Sequence, residues 1–176
     1  MDDLYALAKK LGIQIIYKDL LNKHSGLLGM ADAANKIITL DWSLRSNYRQ
    51  LRCILAEEIG HILFPPRPGH IRYHSKRFIH ADHIDRSLTK AIVAQDERKA
   101  RQWAVNILMP DDEFWRALRE GANTVYRLAE WFDVEEWFVL AKIGYIRVQA
   151  RESGVKLKWR DIIKRDISAW TPEKGL

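Results

Sequence analysis

One cysteine in the whole chain, Cys53, excludes an internal disulfide, and nothing else in the composition points to an oxidising compartment. Cys53 lies in the apolar stretch Leu51-Arg52-Cys53-Ile54-Leu55-Ala56 with no activating base apparent nearby. It reads as a small buried residue rather than a nucleophile. Nowhere do about 18 apolar residues follow one another, so no membrane-spanning helix is expected. The opening residues Met1-Asp2-Asp3-Leu4 are acidic and lack the apolar run of a secretory signal. These absences lead to the expectation of a cytoplasmic protein. No internal repeat or low-complexity tract is present.

What the chain does contain suits one globular domain, or one with a small appendage: 176 residues, 47% hydrophobic and 30% charged. Seven tryptophans supply bulk for a sizeable core. The net charge of +6 is compatible with nucleic acid, an acidic partner or solubility alone, and decides between none of them.

Leu4, Leu7, Ala8 and Leu11 fall at helical spacing and Gly12 follows, which predicts a helix and its stop. Residues 13–17 and 37–40 are β-branched and read as strands. Between them, Asp32 to Lys36 is turn-like, which predicts a hairpin in a small antiparallel sheet. Ser46 or Asn47 can cap a helix running to about Leu63, where Pro65 and Pro66 stop it. Residues 65–88 then carry three prolines, one glycine and four histidines, in the pattern of a functional or disordered connection. Helices are expected over 88–109, 111–119, 125–132 (capped by Asn123 or Thr124) and 134–147 (capped by Asp133). The fold class is therefore α+β, mostly helical, with the small sheet ahead of the helix that carries the chemistry.

That helix reads Leu55-Ala56-Glu57-Glu58-Ile59-Gly60-His61. Glu57 and His61 are one turn apart and share a face, so they can hold one ion. Glu58 sits about 100° round the helix, the offset from which a glutamate can act as general base on a metal-activated water. By itself Glu-Glu-x-x-His is a weak signal, because acidic pairs on helices are common. The later helix Gln95-Asp96-Glu97-Arg98-Lys99-Ala100-Arg101-Gln102-Trp103-Ala104, ending at Met109-Pro110, adds a second and independent pattern.

Taken in order with Ile37-Ile38-Thr39-Leu40-Asp41 and with Val125-Tyr126-Arg127-Leu128-Ala129-Glu130-Trp131-Phe132-Asp133-Val134, these segments resemble the ImmA/IrrE family of metallopeptidases over roughly residues 1–147. The resemblance implies a zincin-like fold. It implies Glu58 as general base, His61 as a metal ligand, and Glu97 as the ligand from the second helix. It also implies a protein substrate, commonly a helix-turn-helix repressor encoded nearby, a link to transcription regulation, and a setting near mobile elements. Residues 1–147, including the helical segment 111–147, would form the peptidase-type domain, with 148–176 a basic C-terminal extension.

Glu57 departs from the family pattern, which has histidine there. Three arrangements are physically open. Glu57 ligates directly, since zinc accepts carboxylate oxygen and a more oxygen-rich set moves preference toward manganese, iron or magnesium. Alternatively a histidine among His70, His74, His80 and His83 takes the place. In the third arrangement the site holds no ion, and the fold serves as a regulatory module binding a repressor or DNA. For the step itself, Tyr73, Arg72, His70 and His74 are candidate donors to the oxyanion. Residues 134–142 start with two glutamates and large apolar groups, which suits core packing or a helical partner better than a DNA major groove. Arg147, Arg151, Lys156, Lys158, Arg160, Lys164 and Arg165, with Trp159 among them, form a basic tail. It reads as a solvated face, and contact with phosphates is the sharper alternative.

Overall fold

The computed structural model describes residues 2–20, 27–65 and 86–154. The chain divides into two units, Met1–Leu108 and Met109–Leu176. The first begins with helix α1, Asp2–Lys10. Gly12, at φ 71°, ends it in the left-handed conformation, and the Ile13 N–H reaches back to the Ala8 carbonyl at 2.9 Å. Glycine takes up that reversal without the steric cost a Cβ would carry.

Strand β1, Gln14–Lys18, follows, then β2, Gly29–Asp32, and β3, Ile37–Asp41. The expected hairpin between residues 13–17 and 37–40 is not formed, since those strands pair in parallel. Strand β2 is one the sequence did not announce, and the hairpin is β2–β3 around residues 33–36. Asp32 closes it by accepting from the Asn35 backbone N–H at 3.1 Å and side-chain amide at 2.8 Å, and Lys36 takes up φ 53°. The expected sheet was antiparallel; the observed one is mixed. Its order is β1-β3-β2, with β1 parallel to β3 and only β2 antiparallel. The reason is burial. Residues 38–41 are all buried, whereas β1 is only partly covered. A strand buried on both faces belongs in the middle of a sheet, so the hairpin returns β3 between β1 and β2.

At the end of β3 the buried carboxylate of Asp41 accepts from the Leu20 N–H at 2.7 Å and from the Ser43 N–H at 2.9 Å. It thereby caps the 3₁₀ turn Trp42–Ser46. Asn47 next caps helix α2, Tyr48–Leu63, accepting from the Gln50 N–H at 3.1 Å. Helix α2 presents Leu51, Cys53, Leu55, Ala56 and Ile59 to the core of this unit. Cys53 is completely buried, as its surroundings in sequence predict. Helix α3, Arg86–Leu108, packs along α2.

The second unit holds α4, Asp111–Arg119, α5, Val125–Phe132, and α6, Glu136–Glu152. Thr124 caps α5 through its hydroxyl, which accepts from the Arg127 N–H at 3.1 Å. Asp133 does not cap the next helix. It terminates α5 at φ 52°, and α6 begins three residues later. The reversal places Val134 and Phe138 in the core. Phe114 stacks on Phe132 at 6.1 Å between centroids, and the buried ammonium of Lys142 is paired with Asp111. Residues 138, 139, 142, 143 and 146 of α6 are buried, which is the expected core-packing role. Among the described residues no helix is long and apolar enough to cross a membrane.

Gly60 on α2 lies tightly against Ala100 on α3. A Cβ at Gly60 would lie 2.6 Å from the Ala100 carbonyl oxygen. Gly60→Ala therefore separates two opposing effects. Helix propensity alone would stabilise by about 1 kcal/mol, while forcing the helices apart costs about 1–3 kcal/mol. The expected result in urea unfolding is net destabilisation; a stabilised variant would contradict the contact.

Candidate metal centre

Helices α2 and α3 meet as a two-rung ladder. His61 and Glu57 are one turn apart on α2, and Glu97 and Arg101 are one turn apart on α3. The His61 Nε2 lies 3.5 Å from Glu97 Oε2. One turn along, Arg101 Nε donates to Glu57 Oε1 at 2.6 Å. The residue numbers rise on one helix as they fall on the other, so the helices run antiparallel here. Gly60 and Ala100 occupy the space between the rungs, and their small size brings the long side chains within reach.

Glu58 leaves α2 in another direction, toward strand β2. Gly29 makes room for it: a Cβ there would lie 2.7 Å from Glu58 Oε1. Glu58 is 4% exposed, and among the described residues its Oε2 has no hydrogen-bond partner. Burial, then the nearby carboxylates of Glu57 and Glu97, push its pKa from 4.5 up to about 8. Both causes act by disfavouring the anion.

The structure thus brings His61 and Glu97 together and sets Glu58 beside them, while Glu57 is engaged by Arg101. Among the described residues no three histidine, cysteine, aspartate or glutamate side chains converge as a metal-holding group. The chemistry of the pocket still fits a divalent cation. An imidazole and a carboxylate 3.5 Å apart are spaced as two ligands of one ion are when each bond is about 2.0–2.2 Å. A carboxylate held in its neutral form by burial and then by surrounding negative charge, with an oxygen that has no partner among the described residues, is the group that a cation would relieve. His70, His74, His80 and His83, with Arg72 and Tyr73, lie outside the described residues, as does the tail from residue 155. Arg147 and Arg151 are exposed on α6.

Arg101 and Gly29 do not emerge from the motif. Arg101 could have been found from its spacing, since a residue four past Glu97 must share its face. Gly29 gives no such sign, because the order of the strands is what brings β2 to Glu58.

The displaced pKa sets a dependence of stability on pH. Unfolded Glu58 titrates near 4.5 and folded Glu58 near 8. Its contribution is full below the lower value and is lost as pH rises through the higher one. Metal-free protein should lose thermal stability between pH 5 and about pH 8–9, and Glu58→Gln should flatten that loss. Equal slopes for the two proteins would show that Glu58 does not titrate in this way.

A family model described as the IrrE N-terminal-like domain matches residues 8–143, a span that contains every residue of the ladder together with Glu58 and Gly29. Neither a curated protein nor a solved structure matches the chain. With three-quarters of its length within that match, this chain belongs to the ImmA/IrrE family of zincin-like, metallopeptidase-type proteins.

Proposed function

We propose that this protein is a metal-dependent peptidase of the cytoplasm that cleaves a partner protein, with a helix-turn-helix repressor as the expected substrate and relief of repression as the result. The observation that carries the reading is the buried Glu58 carboxylate, whose Oε2 has no hydrogen-bond partner among the described residues, together with the His61–Glu97 pair. A structural carboxylate in that position would be expected to have hydrogen-bond partners. One held ready for a proton does not need them.

His61 and Glu97 would hold the ion, zinc or another divalent metal such as manganese, with Glu57 as the third ligand. When bound, such an ion supplies Lewis acidity, lowering the pKa of a water and polarising a peptide carbonyl. Glu58 is the proton carrier. Its Oε2 accepts a proton from the attacking water and returns it to the departing amine nitrogen. Positive charge in the pocket would bring Glu58 down from about 8, so that the base is ionised at neutral pH. Strand β2 positions the substrate in this reading. Among the described residues it is an edge of the sheet, and its Gly29 touches Glu58. An extended peptide adding to that edge by backbone hydrogen bonds passes beside the base.

A second reading is favoured by the Glu57–Arg101 pair, which satisfies the first ligand position without an ion. The fold would then bind its partner and cleave nothing, and binding would be indifferent to chelators.

Elemental analysis of untagged protein and of His61→Ala, followed by cleavage assays on helix-turn-helix repressors, taking first any encoded beside the gene, separates the two. The peptidase reading expects about one metal per chain that is lost in His61→Ala. It further expects about 10²–10⁴-fold slower cleavage by Glu58→Gln with an unchanged fold. Cleavage that survives Glu58→Gln would remove the mechanism. Partner binding with no stoichiometric metal and no cleavage would establish the binding module instead.

A further inference from the structure

Glu57 is a nearly buried carboxylate, its side chain 12% exposed, and Arg101, which neutralises it, has a side chain half in solvent at 50%. A carboxylate in that setting needs a positive partner. Among the described residues the Arg101 guanidinium across the ladder is one such partner, and an ion held by His61 and Glu97 one turn away would be another. In the structure the guanidinium serves.

We propose that Arg101 is a latch on the metal site, competing with the ion for Glu57 and so setting how tightly the site loads. The proposal rests on the metal-dependent reading above and adds its regulation. Three features support it. The bond is charge-assisted and short, at 2.6 Å, so Glu57 is held and not merely nearby. Arginine stays protonated at any working pH, so the competitor does not titrate away. The Arg101 side chain is half exposed, so on release its guanidinium can turn into water, where its charge is well solvated.

Loading would therefore be an exchange. Glu57 leaves a guanidinium and joins His61 and Glu97 at the ion, and Arg101 moves to solvent. A histidine at position 57 would need no such counter-charge, since a neutral imidazole ligates as it stands. Glu57 and Arg101 thus act as one unit, which makes the proposal testable as a coupling.

The measurement is calorimetric titration of the chelator-stripped full chain with zinc and, separately, manganese. It uses the unaltered protein, Arg101→Ala, Arg101→Gln, Glu57→Gln and the Glu57→Gln/Arg101→Ala double variant. Circular dichroism and the thermal midpoint without metal confirm folding, and Arg101→Gln keeps the side-chain length in case alanine does not fold. Removing Arg101 should tighten binding about 10–100-fold, the scale on which groups outside the ligand set alter metal affinity. The same change in the Glu57→Gln background should do nothing. Metal should also raise the thermal midpoint of Arg101→Ala more than that of the unaltered protein.

Unchanged or weaker binding by both Arg101 variants overturns the latch. If the unaltered protein meanwhile binds metal through His61, the peptidase reading stands. Binding by the Arg101 variants and not by the unaltered protein supports the latch and removes the loaded resting site. No binding by any variant overturns both.

Discussion

The contact of Gly60 with Ala100 is what the site depends on. Two helices can bring their glutamates, histidine and arginine within a few ångströms only if the residues between those side chains are small. With a larger residue at either position, both rungs lengthen, since each spans the same interhelical gap. The packing constraint and the chemistry are therefore one feature. Gly60 lies at the centre of the motif because the ladder needs it there, not because a helix favours glycine, which it does not.

A second constraint comes from the sheet. Strand β3 is buried on both faces and takes the central place, which leaves β2 at an edge among the described residues and lays Gly29 against Glu58. The strand that would guide a substrate is thus placed by the burial demands of its neighbour. The two-unit organisation keeps this assembly within the first unit, and every residue of the proposed chemistry lies between Gly29 and Arg101. The second unit builds its own core from Phe114, Phe132 and Phe138, with Lys142 buried and paired to Asp111. No role in the reaction is assigned to it.

Charge ties these features together. Three carboxylates, Glu57, Glu58 and Glu97, lie close enough that two of them raise the pKa of the third. Among the described residues the Arg101 guanidinium partly offsets them. Such a cluster is stable only with protons or cations supplied, and a proton on Glu58 and Arg101 on Glu57 are two such means. A bound divalent ion would take the place of both. The proton returned to solution and the arginine released would be linked consequences of a single event.

Much of this was legible in the residues alone. Helical periodicity and caps located α1, α2, α4 and α5 closely, because those signals are local and act within a turn or two. The spacing of Glu57, Glu58 and His61 fixed their relative directions, because helix geometry leaves no alternative. Family resemblance added Glu97, which spacing could not connect to α2. Other features were decided only by tertiary packing. The parallel pairing of β1 with β3 depends on which strand is buried most, a property of the assembled sheet. The end of α5 at Asp133 depends on seating Val134 and Phe138 in a core. The pairing of Glu57 with Arg101 depends on how near two helices come, which is set by an absent side chain at Gly60. Local chemistry could name the groups, but how those groups divide the charge among themselves follows from distance, and distance is set by packing.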